Sequence, residues 1–274
     1  MIAPRYAYSL RLLLPLLRVG LGIRSSLSRD GALLLRGAHP PPRVLHPENI
    51  PPASPFILTI NHYDRPGLGA WWTVAALVTA IAARRARDPR EIHFAMAREW
   101  WYPRGFRKWI KQPLTRWFFG QIGKAYGTIR LPPALGLEEF RGAGAPAIRG
   151  ALALTRGDNP ELVGIAPEGH TGAGFALRQP PRGAGLFLLL LTRDHIPILP
   201  AGIFEDDGVL TVNFGAPFLL RVPRDLARDE RDAGAARQVM VALGALLPER
   251  MWGAYREEVW NAKSTKENES RERA

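Results

Sequence analysis

Asn61 and His62 close a short apolar run in TINHYDRPGLGAWW, residues 59–72, just before a proline and two glycines. An imidazole at such a junction can take a proton from a bound hydroxyl, because histidine titrates near neutrality. A base of this kind needs a group that orients its ring. Asp64 lies two residues on and shares a face with His62 if the backbone stays extended. In the competing reading Asp64 caps a helix that starts near Pro66, and His62 is structural. The second chemistry-bearing stretch is GIAPEGHTGAG, residues 164–174, where Glu168 follows a proline and precedes Gly169. Glu168 can hydrogen-bond the hydroxyls of an acceptor, or it can close the turn that Gly169 requires.

The elements around these stretches alternate. FILTI, IHFAMA, AYGTIRL, ELVGIAP, IPILPAGI and GVLTVNFG read as strands. LGAWWTVAALVTAIAARRAR, APAIRGALALTRG, GAGLFLLLLTRDH and LARDERDAGAARQVMVALGALL read as helices. This alternation predicts an α/β fold, a mixed sheet flanked by helices, with ligands gathered beyond the carboxyl ends of the strands. His62 and Glu168 both fall at such ends. Three regions follow: 1–47 as an N-terminal membrane-interface helix and extended linker, 48–262 as the main domain, and 263–274 as a polar, disordered tail.

With 274 residues, 46% apolar and 23% charged, the chain has enough material for one large core. The 37 Lys and Arg against 25 Asp and Glu give a net charge of +12. That balance favours an anionic partner, and nucleic acid, anionic lipid headgroups and a phosphorylated small molecule all satisfy it. The lack of cysteine excludes disulfides, thiolate metal sites and a cysteine nucleophile. The six histidines show no H-x-H or H-E-x-x-H spacing, so no metal site is expected. Neither a G-x-S-x-G elbow, nor a complete phosphate-binding loop around GQIGK, nor a G-x-G-x-x-G after a strand is present.

The opening stretch YSLRLLLPLLRVGLGI is apolar, but Arg11, Pro15 and Arg18 interrupt it, leaving it far short of the roughly 20 residues that span a bilayer. It suits a helix lying in a membrane interface, with arginines near headgroups, or an amphipathic helix packed on the domain. EWWYPRGFRKWIKQPLTRWFFG, residues 99–120, interleaves cations with four Trp. That composition fits a membrane-surface patch, core packing, or stacking on single-stranded nucleic acid.

Taken in order, ENIP and FILTINH, GTIR, APEG, RGAG, PILPAGI and VNFGAPF resemble the glycerolipid acyltransferases typified by lysophosphatidic acid acyltransferase (1-acyl-glycerol-3-phosphate acyltransferase), over roughly residues 48–220. The resemblance implies an acyltransferase-like fold. It also implies transfer of a fatty acyl group from acyl-CoA or acyl carrier protein to a lysophospholipid or glycerol-phosphate-type hydroxyl in phospholipid biosynthesis. His62 maps to the family's base, with Asn61 beside it. Glu168 and Gly169 map to the block that holds the acceptor, and Pro197 and Pro200 to a strand lining the site. Backbone N–H groups would stabilise the oxyanion.

Two departures stand out. The family's aspartate, five positions after the histidine, is replaced by Gly67, so Asp64 is the expected orienter of His62. The family's Thr-Arg after Pro-Glu-Gly is replaced by His170 and Thr171, so Arg130 and Arg182 are the expected phosphate contacts. No cofactor and no metal are expected, only the acyl donor as co-substrate. The expected partners are a membrane surface with anionic lipids, the donor and the lysophospholipid acceptor, without nucleic acid. The expected location is the cytoplasmic face of a membrane. A catalytically silent lipid-binding relative and an acyltransferase for another acceptor are the alternatives.

Overall fold

Short runs of wholly apolar residues build the middle of the molecule. The computed structural model describes residues 5–102, 104–132, 144–169, 175–192 and 195–272. The strands are β1 (Arg5–Tyr6), β2 (Ala38–His39), β3 (Arg43–Leu45), β4 (Ile57–Ile60), β5 (Ile92–Ala97), β6 (Ile129–Leu131), β7 (Leu162–Ile165), β8 (Ile198–Asp206) and β9 (Val209–Phe214). The helices are α1 (Leu13–Gly20), α2 (Leu27–Leu35), α3 (Ala70–Arg84), α4 (Gln112–Tyr126), α5 (Ala145–Leu154), α6 (Ala184–Leu191), α7 (Arg228–Ala245) and α8 (Arg256–Glu272).

Among the described residues, seven strands form one sheet in the order β3-β9-β8-β4-β7-β5-β6. From β8 to β6 neighbouring strands are parallel; β9 runs antiparallel to β8 and carries β3 parallel to itself. The expected class, a mixed sheet flanked by helices, is what is found. Every residue of β4 and β7 is buried, as central parallel strands covered on both faces require. The one reversal, between β8 and β9, is a tight turn in which Asp207 and Gly208 take φ values of 48° and 75°. Two consecutive positive φ angles define the Asp-Gly turn whose twist matches paired strands.

Three stretches differ from the expected region plan. Residues 43–45, assigned to the linker, form β3 and pair with β9, so this stretch belongs to the main sheet. The linker region also contains α2, which packs on α3 and contributes Leu27 to the core. The tail expected to be disordered from 263 is instead helical through Glu272, as part of α8. Its first turn carries Glu257 and Glu258, which favour helix initiation through the dipole.

The RGAG stretch, singled out for Arg182, serves helix packing. Gly183 has φ 93°, and its N–H and that of Leu186 donate to the Asp232 carboxylate of α7, at 2.6 and 2.9 Å. A Cβ on Gly185 would lie 2.0 Å from the Asp232 carbonyl oxygen. The glycines therefore let α6 start against the backbone of α7.

Candidate active site

The carboxyl ends of β4, β7 and β8 lie side by side, because β4 sits between the other two. His62 follows β4, Glu168 follows β7, and Glu205 lies one residue from the end of β8, so these groups, scattered along the chain, gather at the carboxyl-end side of the sheet.

Asn61 holds the end of β4 in place. Its side-chain Nδ2 donates to the Ile203 carbonyl at 2.9 Å, and its Oδ1 accepts the Ile203 N–H at 2.7 Å. An amide presents donor and acceptor side by side, as a peptide group does, so the side chain extends the β4–β8 pairing past Ile60. Asn61 is buried, with both of its polar ends engaged. It positions the next residue rather than facing a ligand.

His62 is partly open, its side chain 28% exposed against 5% for Glu168. The His62 backbone N–H donates to Glu168 Oε2 at 3.0 Å, and Glu168 Oε1 accepts the Arg178 backbone N–H at 2.9 Å. The same Oε2 lies 3.8 Å from His62 Nδ1, and that nitrogen is buried without a hydrogen-bond partner. The exposed part of the ring is therefore the edge away from Nδ1. Gly169 follows with φ 74°, and its N–H donates to the Ala166 carbonyl at 3.1 Å, turning the chain directly after Glu168.

The expected orienter is not in contact with the imidazole. Asp64 is exposed and makes no hydrogen bond or ion pair with His62 among the described residues. Nor does it cap α3, which starts at Ala70 with Gly69 as N-cap. Gly67 has a backbone reason for its identity. The Arg65 and Leu68 main chains exchange hydrogen bonds of 3.0 and 2.8 Å across Pro66-Gly67, and Gly67 takes φ 86°. Proline followed by a residue at positive φ is the type II arrangement, which disfavours aspartate at the second position.

Sequence reasoning missed an ion-pair cluster beside His62. Arg65 Nη2 donates to Glu205 Oε1 at 2.6 Å, and Arg65 Nε donates to Oε2. Tyr63 Oη and Tyr6 Oη donate to the same carboxylate at 3.0 and 3.1 Å. Burial acts to raise the Glu205 carboxyl, but the bonds from Arg65, Tyr63 and Tyr6 outweigh it and hold the group below the ordinary glutamate range. Burial, followed by the Glu205 charge, pushes the Tyr63 phenol up to about 12, so it remains a donor. The signal was half visible, since Arg65 stands in the first stretch, but its partner lies 140 residues away.

Glu205→Gln is expected to destabilise the protein by about 2 kcal/mol in urea unfolding. This is less than the roughly 3–5 kcal/mol of a fully buried broken pair, because water still reaches Arg65. The group's folded-state pKa is depressed. The stabilisation is thus present above the ordinary glutamate value, roughly 4.3, and is lost as pH falls through the lower folded value. The gap between parent and variant should close in acid.

The remaining expected residues lie apart from His62. Arg130 is on β6, the edge strand, three places from β4, or about 14 Å at ordinary strand spacing. It is exposed and lies over Gly120 and Gly123 of α4. Arg182 is 81% exposed, and its Nη2 holds both oxygens of Asp229 at 2.7 Å. Neither arginine makes a polar contact with His62 or Glu168. Pro197 lies at the amino end of β4, one residue before the partner of Ile57, and its carbonyl accepts the Ile57 N–H at 2.9 Å. Pro200 pairs with Thr59 inside the sheet. The part of β8 that reaches the site is its far end, Ile203 to Glu205. His170 and Thr171 lie outside the described residues.

A separate apolar surface lies on α1 and α4. Val19 of α1 packs with Phe119, Ile122 and Ala125 of α4 in a small separate core. The same helices and the π-helical turn Arg107–Lys111 before α4 leave Leu13, Leu17, Trp109, Leu114 and Trp117 exposed, Trp109 by 80%. Arg11, Arg107, Lys108 and Lys111 stand exposed among them. Buried Glu99 anchors the segment before this turn, accepting from Gln112 at 3.2 Å and Arg116 Nε at 2.8 Å. Among the described residues no helix is long and apolar enough to cross a membrane.

No family model matches the chain, and no curated protein matches it. Among solved structures, the chain is similar to the crystal structure of the 1-acyl-sn-glycerophosphate (LPA) acyltransferase PlsC from Thermotoga maritima. The identity is 14% and the TM-score 0.43, over 84% of this chain and 79% of that one.

Proposed function

We propose that the protein is an acyltransferase that moves a fatty acyl group from acyl-CoA or acyl carrier protein to a lysophospholipid or glycerol-phosphate-type hydroxyl, with His62 as general base. The observation that carries this reading is the half-open imidazole at the carboxyl end of the central strand, its Nδ1 edge buried against Glu168. The other ring nitrogen accepts the acceptor's hydroxyl proton as the oxygen attacks the thioester carbonyl. The new ester C–O bond forms, the C–S bond breaks, and the proton passes from the imidazolium to the departing thiolate. The ordered sequence blocks supply the substrate class. The test is thiol release from acyl-CoA and from acyl carrier protein with a panel of lysolipid acceptors. Thiol release that depends on an acceptor supports the reading. Its absence with every donor and acceptor overturns the reading and leaves the two alternatives, a lipid-binding protein without transferase activity or a transferase for another acceptor.

The site works at the surface of a membrane carrying anionic lipids, on its cytoplasmic face. Exposed tryptophans and leucines flanked by cations on α1 and α4 support this, because such side chains insert at the headgroup level while the cations meet phosphate. In sedimentation with phosphatidylglycerol vesicles, Trp109→Glu with Trp117→Glu should weaken binding by at least about tenfold. Removing two rings from an apolar contact costs on the order of 1.5–3 kcal/mol each. Parent binding should be stronger to phosphatidylglycerol than to phosphatidylcholine and should weaken with salt. A parent that sediments with neither vesicle overturns the membrane assignment.

A further inference from the structure

We propose that Glu168 is the positioning residue for His62, accepting the Nδ1 proton and so fixing the tautomer that leaves the other ring nitrogen free for substrate; this deepens the reading above and rests on it. The position that would carry a carboxylate by resemblance is Gly67, in a turn with φ 86°, and Asp64 makes no contact with the ring. Among the described residues, Glu168 alone places a carboxylate within ion-pair range of His62, at 3.8 Å from Nδ1.

The carboxylate is itself held still. Oε1 accepts the Arg178 N–H and Oε2 the His62 N–H, which orient its plane, and its side chain is 5% exposed. An ionised carboxylate offers about four acceptor sites, so Oε2 has room for a second donor. Nδ1 is buried and unpartnered, an unfavourable condition that a small ring shift toward Oε2 would relieve. Catalytic hydrogen bonds are often long before substrate binds and tighten when it does. With its side chain only 5% exposed, Glu168 offers little surface to an acceptor hydroxyl.

The arrangement is read directly by 15N–1H correlation of the histidine rings in the full chain. His62 is expected with its proton on Nδ1, and with the proton moved to Nε2 in Glu168→Gln, whose amide cannot accept at both positions. In acyl transfer, Glu168→Gln should lower kcat by about 10²-fold, toward the lower end of what a working base contributes. The acceptor KM should change by less than about threefold. A parent His62 protonated on Nε2 alone overturns the proposal, and this measurement needs no variant to fold. A Glu168→Gln protein that keeps kcat but raises KM also overturns it, making Glu168 an acceptor contact. A parent with the Nδ1–H tautomer and no transferase activity upholds the ring geometry and removes only the functional reading.

Discussion

Replacing His62 with alanine is expected to lower acceptor-dependent thiol release by about 10²- to 10⁴-fold, the range that a positioned general base contributes. The fold should survive the change. Alanine retains the backbone N–H that donates to Glu168 at 3.0 Å, and the packing lost with the partly open ring is offset by removal of its buried, unpartnered Nδ1. Thermal unfolding of the variant should stay within a few degrees of the parent, roughly what a 1 kcal/mol change produces in a chain of this size. Asp64→Asn is the informative companion, because Asp64 is exposed and has no partner among the described residues. Its turnover should remain within about threefold of the parent. A folded His62→Ala protein as active as the parent would show that the imidazole moves no proton in the reaction.

Asn61→Ala carries the largest expected stability loss, about 2–5 kcal/mol by urea unfolding. The substitution strips partners from both the Ile203 N–H and the Ile203 carbonyl, which its side chain meets at 2.7 and 2.9 Å in a buried setting. Each buried polar group left unsatisfied costs roughly 1–3 kcal/mol. Asn61→Asp should be no better tolerated, since a carboxylate oxygen would then face the Ile203 carbonyl. Activity should fall with both variants, because the peptide between Asn61 and His62 loses its register against β8. If Asn61→Ala unfolds at the parent's urea concentration and only the acceptor KM rises, Asn61 is a ligand contact and its bridge to Ile203 contributes little.

Much of the scaffold was readable before any coordinates. The boundaries of IHFAMA coincide with β5, and FILTI, ELVGIAP and GVLTVNFG each contain their strand within one to three residues. Buried parallel strands announce themselves as unbroken apolar runs between turn residues, so a linear scan finds them. Elements stabilised from elsewhere in the chain carry no such local signal. β3 is three residues long and exists through its pairing with β9, whose sequence lies about 170 positions on. Within 99–120 a π-helical turn precedes α4 and shifts the phase of the exposed rings between the two.

The sequence by itself determined the alternating α/β plan, the two strand-end junctions at His62 and Glu168, and the basic-aromatic character of the segment before and within α4. Those properties are local: each is carried by neighbouring residues through period, turn chemistry and composition. Which carboxylate meets the imidazole was a matter for the tertiary structure alone. Asp64 is two residues from His62 and makes no contact with it, whereas Glu168, 106 residues away, arrives after the strand beside β4 and lies 3.8 Å from the ring. Parallel pairing brings the carboxyl ends of strands together regardless of their separation along the chain, and so the site's composition follows strand order rather than sequence order.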